Sequence, residues 1–312
     1  MSRFVVKPQA YGSLEGKVVV LSGGANGIGA ATVGLFLARE AKVVFGDISE
    51  AAGEALVQNL TKTDPSAVGR VVFVKTDVSS YDSVLQLFET ARTKFGRVDI
   101  AVNLAALTEI GNWFDPDTTL ESVKRKPTTA LVDVNLLGTI YFARIATVYL
   151  KDGATSLATD DKSLILFSSV AGFKESPGLF VYQATKHGVL GLMRSMRKYP
   201  PISEHIRVNV VCPWMTLTAM VDGIRDRWAD AKLPSNTPEG VGSVVVDIAC
   251  AKTLKGEIIY IEGDRGWEIE GKINETEPLW LGAEQSRLLN EGQVVLGDGM
   301  GWTDREGGKE EL

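Results

Sequence analysis

The sequence predicts an α/β fold, a doubly wound parallel sheet of seven strands in a single domain with a C-terminal extension. Three observations predict it. Seven short runs rich in Val and Ile recur along the chain, and most are apolar throughout, as strands buried on both faces are. Longer amphipathic segments separate them, and strand–helix alternation implies right-handed βαβ units. A glycine-rich loop follows the first run directly and opens the first helix.

In order, the runs are "KVVVLS", "KVVFGD", "RVVFVKTD", "RVDIAVN", "SLILFSS", "IRVNVVC" and "GEIIYIEG". The helix-like segments between them include "GAATVGLFLARE", "SEAAGEALVQNL", "YDSVLQLFETARTKF" and "TALVDVNLLGTIYFARIATVYL". No long linker and no internal repeat splits the body, so residues 1–265 are expected to form one domain. The chain of 312 residues is 45% hydrophobic and 23% charged, the balance of a folded protein with a substantial core. A net charge of -6 argues against nucleic acid, which needs a basic face. No apolar run approaches the roughly 18 residues of a membrane span, and the first residues lack the apolar core of a signal peptide. Cys212 and Cys250 make no disulfide framework, which fits a reducing, cytoplasmic setting. The terminal "KEEL" resembles an ER-retention signal, but without an entry signal it reads as an acidic end.

In "LSGGANGIGA", Gly23, Gly27 and Gly29 permit a sharp turn and bring backbone N–H groups and a helix N-terminus toward a pyrophosphate. Eighteen residues past Gly29, the second run ends at Asp47, placed to accept hydrogen bonds from adenosine ribose hydroxyls. Asp47 would repel a 2'-phosphate, and no arginine follows it or stands in the loop, so NAD is expected over NADP. The competing role for Asp47 is a helix cap, which Ser49 supplies equally well. Further on, "VYQATKHG" sets Tyr182 and Lys186 at i and i+4, on one face of a helix.

Taken together and in order, these motifs resemble the short-chain dehydrogenase/reductase family over roughly residues 14 to 264. The glycine motif stands as Ser22-Gly23-Gly24-Ala25-Asn26-Gly27-Ile28-Gly29. An aspartate after the third strand matches Asp77, followed by Val78, and the Asn-Asn-Ala-Gly stretch is degraded to Asn103-Leu104-Ala105-Ala106. Asn135 in "VNLLG", Ser169 in "FSSVAG" thirteen residues before Tyr182, and the Tyr182/Lys186 pair match the remaining positions. The resemblance implies a Rossmann-type sheet, an NAD-dependent secondary alcohol dehydrogenase or ketoreductase, and a homodimer or homotetramer. It implies Gly23, Asn26, Gly27, Ile28, Gly29, Asp47, Ile48, Asp77, Val78, Asn103 and Ala105 around the cofactor. Tyr182, Lys186, Pro213, Met215 and Thr218 complete that set.

A free tyrosine titrates near about 10 and is a poor base at neutral pH. A Lys186 ammonium and a positive nicotinamide ring would favour the phenolate. The resemblance further implies that Ser169 holds the substrate oxygen, and that Asn135 helps order a water beyond Lys186. His187 and His205 have no partner pattern, and no metal is expected. Two other readings of the fold are a redox-silent dinucleotide-binding regulator and a cyclase or isomerase, although Ser169, Tyr182 and Lys186 are all retained.

Three departures bear on substrate. Trp214 stands in "CPWMTLTAM" where the family has glycine, and is expected to narrow the pocket or pack outward. Ala106 replaces a glycine. "LTEIGNWFDPDTTLESVKRKP" is long, and its Trp113 and Phe114 overhang the substrate or cover the surface. Phe173, Pro177, Trp214, Met215, Leu217 and Met220 fall at pocket-wall positions and are apolar, with Phe173, Trp214, Leu217 and Met220 assigned to the substrate. A hydrophobic secondary alcohol or ketone is expected, of polyketide, terpenoid, steroid-like or lipid type, under a lid over residues 220–237. Asp47, Trp214 and the long C-terminus most resemble the fungal hydroxyprostaglandin-dehydrogenase-like members.

From Asp264 onward the chain carries twelve acids against five bases, yet holds Trp267, Trp280 and Trp302 of its six tryptophans. A solvated acidic tail would not, so residues 266–302 are expected to pack on the body or a neighbouring subunit, with the last ten loose.

Overall fold

The computed structural model describes residues 2–4, 12, 14–154, 160–297 and 299. All seven expected runs form strands and lie parallel in one sheet. They are β2 (Val18–Ser22), β3 (Lys42–Asp47), β4 (Val71–Lys75), β5 (Ile100–Asn103), β6 (Lys162–Phe167), β7 (Ile206–Pro213) and β8 (Ile258–Glu262). The sheet has nine strands rather than seven, because β1 (Ser2–Phe4) and β9 (Arg265–Glu268) add antiparallel to one edge, in the order β1-β9-β8-β7-β6-β5-β2-β3-β4. Gly263 and Asp264 hold φ of 55° and 61°, the backbone of a tight two-residue hairpin, and turn the chain back along β8. The edge that β9 leaves open is then paired by the three residues of β1.

Eight helices complete the described architecture that matters here: α1 (Gly27–Leu37), α2 (Glu50–Thr63), α3 (Tyr81–Phe95), α4 (Ala130–Lys151), α5 (Phe180–Met196), α6 (Pro238–Cys250), α7 (Glu270–Leu281) and α8 (Ala283–Leu296). Alternation along the strands divides the core. Val19 and Leu21 face one layer with Val33 and Phe36 of α1 and Val241 and Val245 of α6. Val18 and Val20 face the other, with Leu87 and Phe88 of α3, Phe142 of α4 and Val189 and Met193 of α5. Every residue of β2, β6 and β7 is buried, as strands covered on both sides require.

Joined through a π-helical segment, Asp133–Leu137, α4 reaches 22 residues and is long and apolar enough to cross a membrane by length and composition. Asp133, Asn135, Thr139 and Arg144 interrupt it, so its sequence shows no unbroken apolar run. In the fold Phe142, Ile145, Ala146 and Leu150 of this helix are buried in the core, the role of a sheet-covering helix.

Charges buried at the N-terminal ends of the strands are paired. Asp99 accepts from the Val18 N–H at 3.0 Å and from Lys162 Nζ at 3.0 Å, and Arg207 donates to Asp161 at 2.7 Å. The groups placed for chemistry lie at the opposite, C-terminal edge. There β3 and β4 are added on one side of β2 and β5 on the other, so a crevice opens between β2 and β5.

Beyond β9, the buried Glu270 ties α7 to the body by accepting two hydrogen bonds from Arg194, at 2.9 and 2.8 Å, and by pairing with Arg197 at 3.0 Å. Trp267 is half-buried in β9, whereas Trp280 is 65% exposed. Trp302 and the last ten residues lie outside the described residues.

Candidate active site

The glycine loop is shaped by close backbone approach. Gly23 has a φ of 70°, and a Cβ there would fall 2.6 Å from the Ala105 nitrogen; one on Gly29 would fall 1.9 Å from the Gly23 carbonyl. Asn26, the N-cap of α1, is extended and makes no side-chain cap, and no acid stands in the first turn. The N–H groups that open α1 at Gly27 are therefore available to an anion, while Ile28 packs against the core below. On the far side of the loop, the Thr218 methyl would lie 3.2 Å from a Cβ on Gly27.

Asp47 ends β3 beside this loop. Its carboxylate accepts from the Ala25 N–H and the Ser49 N–H, each at 3.0 Å. Ser49 is the N-cap of α2 but its hydroxyl caps nothing, so the serine cap expected from the sequence does not form. Ile48 beside it is exposed. After β4, Asp77 accepts from the Ser79 N–H at 2.9 Å and the Ser79 hydroxyl at 2.6 Å, and Val78 is buried with its carbonyl 2.8 Å from a Cβ on Gly138. In the crevice itself Asn103 accepts from the Ser22 hydroxyl at 2.5 Å and donates to Thr139 at 2.8 Å, next to Ala105. A loop whose Gly23, Gly24 and Gly29 leave no room for a side chain, an open helix N-terminus and a neighbouring carboxylate fit a dinucleotide: pyrophosphate at Gly23–Gly29, adenosine ribose at Asp47.

The second group gathers at the ends of β6 and β7. Ser169 follows β6, and its hydroxyl accepts from the Ala171 N–H at 3.2 Å. The adjacent Ser168 is buried and donates to the Lys186 carbonyl at 2.8 Å, a packing role that leaves Ser169 to face Tyr182. One face of α5 carries both Tyr182 and Lys186. Lys186 Nζ lies 5.4 Å from the Tyr182 ring centroid and donates to the Phe167 carbonyl at 3.2 Å. Burial lowers Lys186 to about 8. Burial pushes Tyr182 up, with the Ser169 hydrogen bond opposing it. The expected lowering of Tyr182 by Lys186 is thus not met in the chain by itself, because removing a phenolate from water dominates. Cys212 lies under the same pair, and burial raises its thiol to about 12.

Asn135 sits in the π segment of α4. Its side chain accepts from the Leu107 N–H at 2.7 Å and donates to the Leu107 carbonyl at 2.9 Å, and it reaches Thr185 at 3.5 Å, next to Lys186. The amide therefore fixes the segment after β5 against the helix.

The side expected to face a substrate is aromatic. Trp214, half-buried, meets Trp228 edge-on at 4.8 Å and Tyr260 at 6.4 Å, and Phe173 meets Tyr260 edge-on at 6.0 Å. Register places Tyr260 opposite Cys212 across β7 and β8, hence on the Lys186 face of the sheet. Pro213 and Met215 are buried, whereas Phe173, Leu217 and Met220 are exposed at the rim, as is Pro177. The segment expected to act as a lid is a 3-10 turn, Ala219–Ile224, followed by a six-residue helix, Arg225–Asp230. A bridge between Thr216 and Asn236 closes its base, and Trp228 anchors it by donating to the Pro234 carbonyl at 2.9 Å. Phe114, from the long segment after β5, stacks edge-on against Phe180 at 4.8 Å.

Sequence reasoning did not find Trp228, Tyr260 or Glu109. Trp228 lay inside the lid segment as one aromatic among charges, and Tyr260 inside a strand run. Glu109, which binds backbone at the start of α5, carries no motif at all.

Residues 17–228 match the family model for short chain dehydrogenase. The short-chain dehydrogenase/reductase prx4 of Penicillium roqueforti is 29% identical over 314 residues, covering 95% of this chain and 89% of that protein. The 5'-hydroxyaverantin dehydrogenase of Dothistroma septosporum is 33% identical over 293 residues, covering 88% and 93%. The crystal structure of gox2181 superposes with a TM-score of 0.67 at 25% identity, covering 82% of this chain and 97% of that one. The chain belongs to the short-chain dehydrogenase/reductase family of oxidoreductases.

Proposed function

We propose that this protein interconverts an apolar secondary alcohol and its ketone, using NAD and NADH, with Tyr182 as the group that moves the proton. One observation carries the reading: Lys186 Nζ lies buried beside the Tyr182 ring while Ser169 faces the same hydroxyl, at the ends of β6 and β7 and next to the crevice. The nicotinamide, when bound, supplies or accepts the hydride. The chain's own residues do the rest. Ser169 hydrogen-bonds the substrate oxygen and holds it against Tyr182. In reduction the neutral phenol, favoured by burial, gives its proton to that oxygen. In oxidation Tyr182 takes the proton as a phenolate whose charge Lys186 offsets, and becomes the neutral phenol. Asn135 holds Leu107 and reaches Thr185, which fixes the wall behind Lys186.

Asp47 supports NAD over NADP, because a carboxylate at the end of β3 beside the glycine loop repels a 2'-phosphate and no arginine follows it or stands in the loop. The rings of Phe173, Trp214, Trp228 and Tyr260 support an apolar substrate. Titration with NADH and NADPH by protein fluorescence, followed by a panel of apolar secondary alcohols, tests the proposal. NADH is expected to bind at least about tenfold more tightly, and Asp47→Ser to erase that preference, a change of about 1.4 kcal/mol. Tighter binding of NADPH to the unaltered chain contradicts the assignment of Asp47.

A further inference from the structure

Glu109 belongs to none of the groups assigned above. It lies half-buried in the segment between β5 and α4. Its carboxylate accepts the backbone N–H of Tyr182 at 2.8 Å through one oxygen and that of Val181 at 3.3 Å through the other. A helix leaves the N–H groups of its first turn without partners inside itself. The usual remedy is a Ser, Thr, Asp or Asn at the N-cap. In α5 the N-cap is Leu179, whose side chain has no acceptor. Nor does Gln183 help: its amide oxygen accepts from the Ser176 N–H at 3.0 Å and its nitrogen donates to the Lys174 carbonyl at 3.3 Å. The helix that carries Tyr182 is capped from outside, by a residue 73 positions away.

The same segment is clipped at two further points. Leu107, two residues before Glu109, exchanges both of its backbone hydrogen bonds with Asn135 on α4. Five residues after Glu109, Phe114 packs edge-on against Phe180, the first residue of α5, although both rings are largely exposed. The segment thus bridges α4 and α5 at the end where Tyr182 stands.

We propose that Glu109 is a positioning residue, a latch that makes residues 104–114 and the start of α5 one unit and so sets the substrate-side wall against Tyr182. Its kinetic consequence rests on the oxidoreductase reading; its structural consequence does not. Loss of the latch frees the wall, and substrate binding weakens. The glycine loop and Asp47 lie across the crevice on other strands, and Ala105 at the near end of the segment stays held by the Ser22 hydroxyl at 3.5 Å and against Gly23, so dinucleotide binding stays as it was.

Hydrogen exchange and steady-state kinetics on three full-length variants test this. In Glu109→Ala, amides 181–182 and the segment 104–114 are expected to exchange about five- to tenfold faster, the size of a lost cap. The substrate KM should rise by a similar factor, with the NADH dissociation constant changed less than about twofold. Adding Leu179→Ser restores a local cap for the same two N–H groups. That double variant should regain protection at 181–182 while 104–114 stays loose and KM stays high. Glu109→Gln retains one acceptor oxygen, is expected between wild type and Glu109→Ala in both readouts, and carries the test should Glu109→Ala fail to fold. Unchanged exchange at 104–114 in Glu109→Ala, or full recovery of both 104–114 and KM in the double variant, overturns the proposal. If no alcohol is turned over by any variant, the exchange data still decide the latch, and the failure belongs to the redox reading.

Discussion

The two sides of the crevice are held by different kinds of contact. On the β2–β4 side the groups are fixed by backbone: Gly24 N–H donates to the Gly46 carbonyl at 3.0 Å, Asp47 grips the Ala25 N–H, and Gly29 lies against the Gly23 carbonyl. On the β6–β8 side the walls are side chains from separate elements. Phe173 follows β6, Trp214 follows β7, Trp228 comes from the lid and Tyr260 from β8, and ring edges join them. Backbone geometry of the first kind allows few residues and suits a ligand that does not change. Ring packing of the second kind tolerates replacement, and it is where a family of one chemistry can differ in substrate.

The largest break in that comparison should come from the glycine side. Gly29→Val places carbon against the Gly23 carbonyl, with no flexible side chain to yield. Strain of this kind costs about 1–3 kcal/mol of stability, read as a lower Tm, and NADH affinity should fall beyond measurement by fluorescence titration. A variant that binds NADH normally would show that the loop is not the pyrophosphate cradle.

A second effect concerns Lys186, buried on the β6–β8 side. Its folded pKa of about 8 lies below the ordinary 10.5. Between those values the unfolded chain binds more protons, so the stability tied to this group rises with pH across that window. The cost of the buried ammonium is fully present below about pH 8. Lys186→Met should therefore gain stability relative to wild type at pH 7, with the advantage shrinking by up to about 3 kcal/mol by pH 10. Denaturant unfolding at both pH values checks the sign; an advantage that grows with pH contradicts a lowered Lys186.

The smallest effect is expected on the aromatic side. Trp214→Gly restores the residue common in the family and removes the edge contact to Trp228. Such a pair contributes about 0.5–1.5 kcal/mol, so lid amides 225–230 should exchange about two- to tenfold faster and bulkier alcohols should be accepted. The NADH affinity should stay constant. A change in NADH affinity without a change in alcohol preference would place Trp214 on the wrong side of the comparison.

The same contrast explains what could be read from sequence. The glycine loop, Asp47, Ser169, Tyr182 and Lys186 occupy fixed spacings because backbone and helix geometry impose them, and the structure brings each to the C-terminal edge of the sheet. The seven parallel strands were legible for a related reason: burial on both faces leaves unbroken apolar runs. The antiparallel pair was not. Ser2–Phe4 is too short to show a period and exists only because Arg265–Glu268 lies beside it, although Gly263-Asp264 did carry a hairpin signal. Tyr260 and Trp228 join the site only through register and lid packing, and Glu109 only through the fold of a long segment onto α5. The direction of the Tyr182 shift was also hidden, since it depends on burial, which no spacing reports.

The account rests above all on Tyr182 as the proton carrier, and Tyr182→Phe tests it most directly. This change removes one oxygen and leaves the ring beside Lys186. Turnover of the preferred alcohol should fall by about a thousandfold, the range of general acid–base catalysis, while NADH binds as tightly as before. Full turnover in the Tyr182→Phe protein would contradict the central claim.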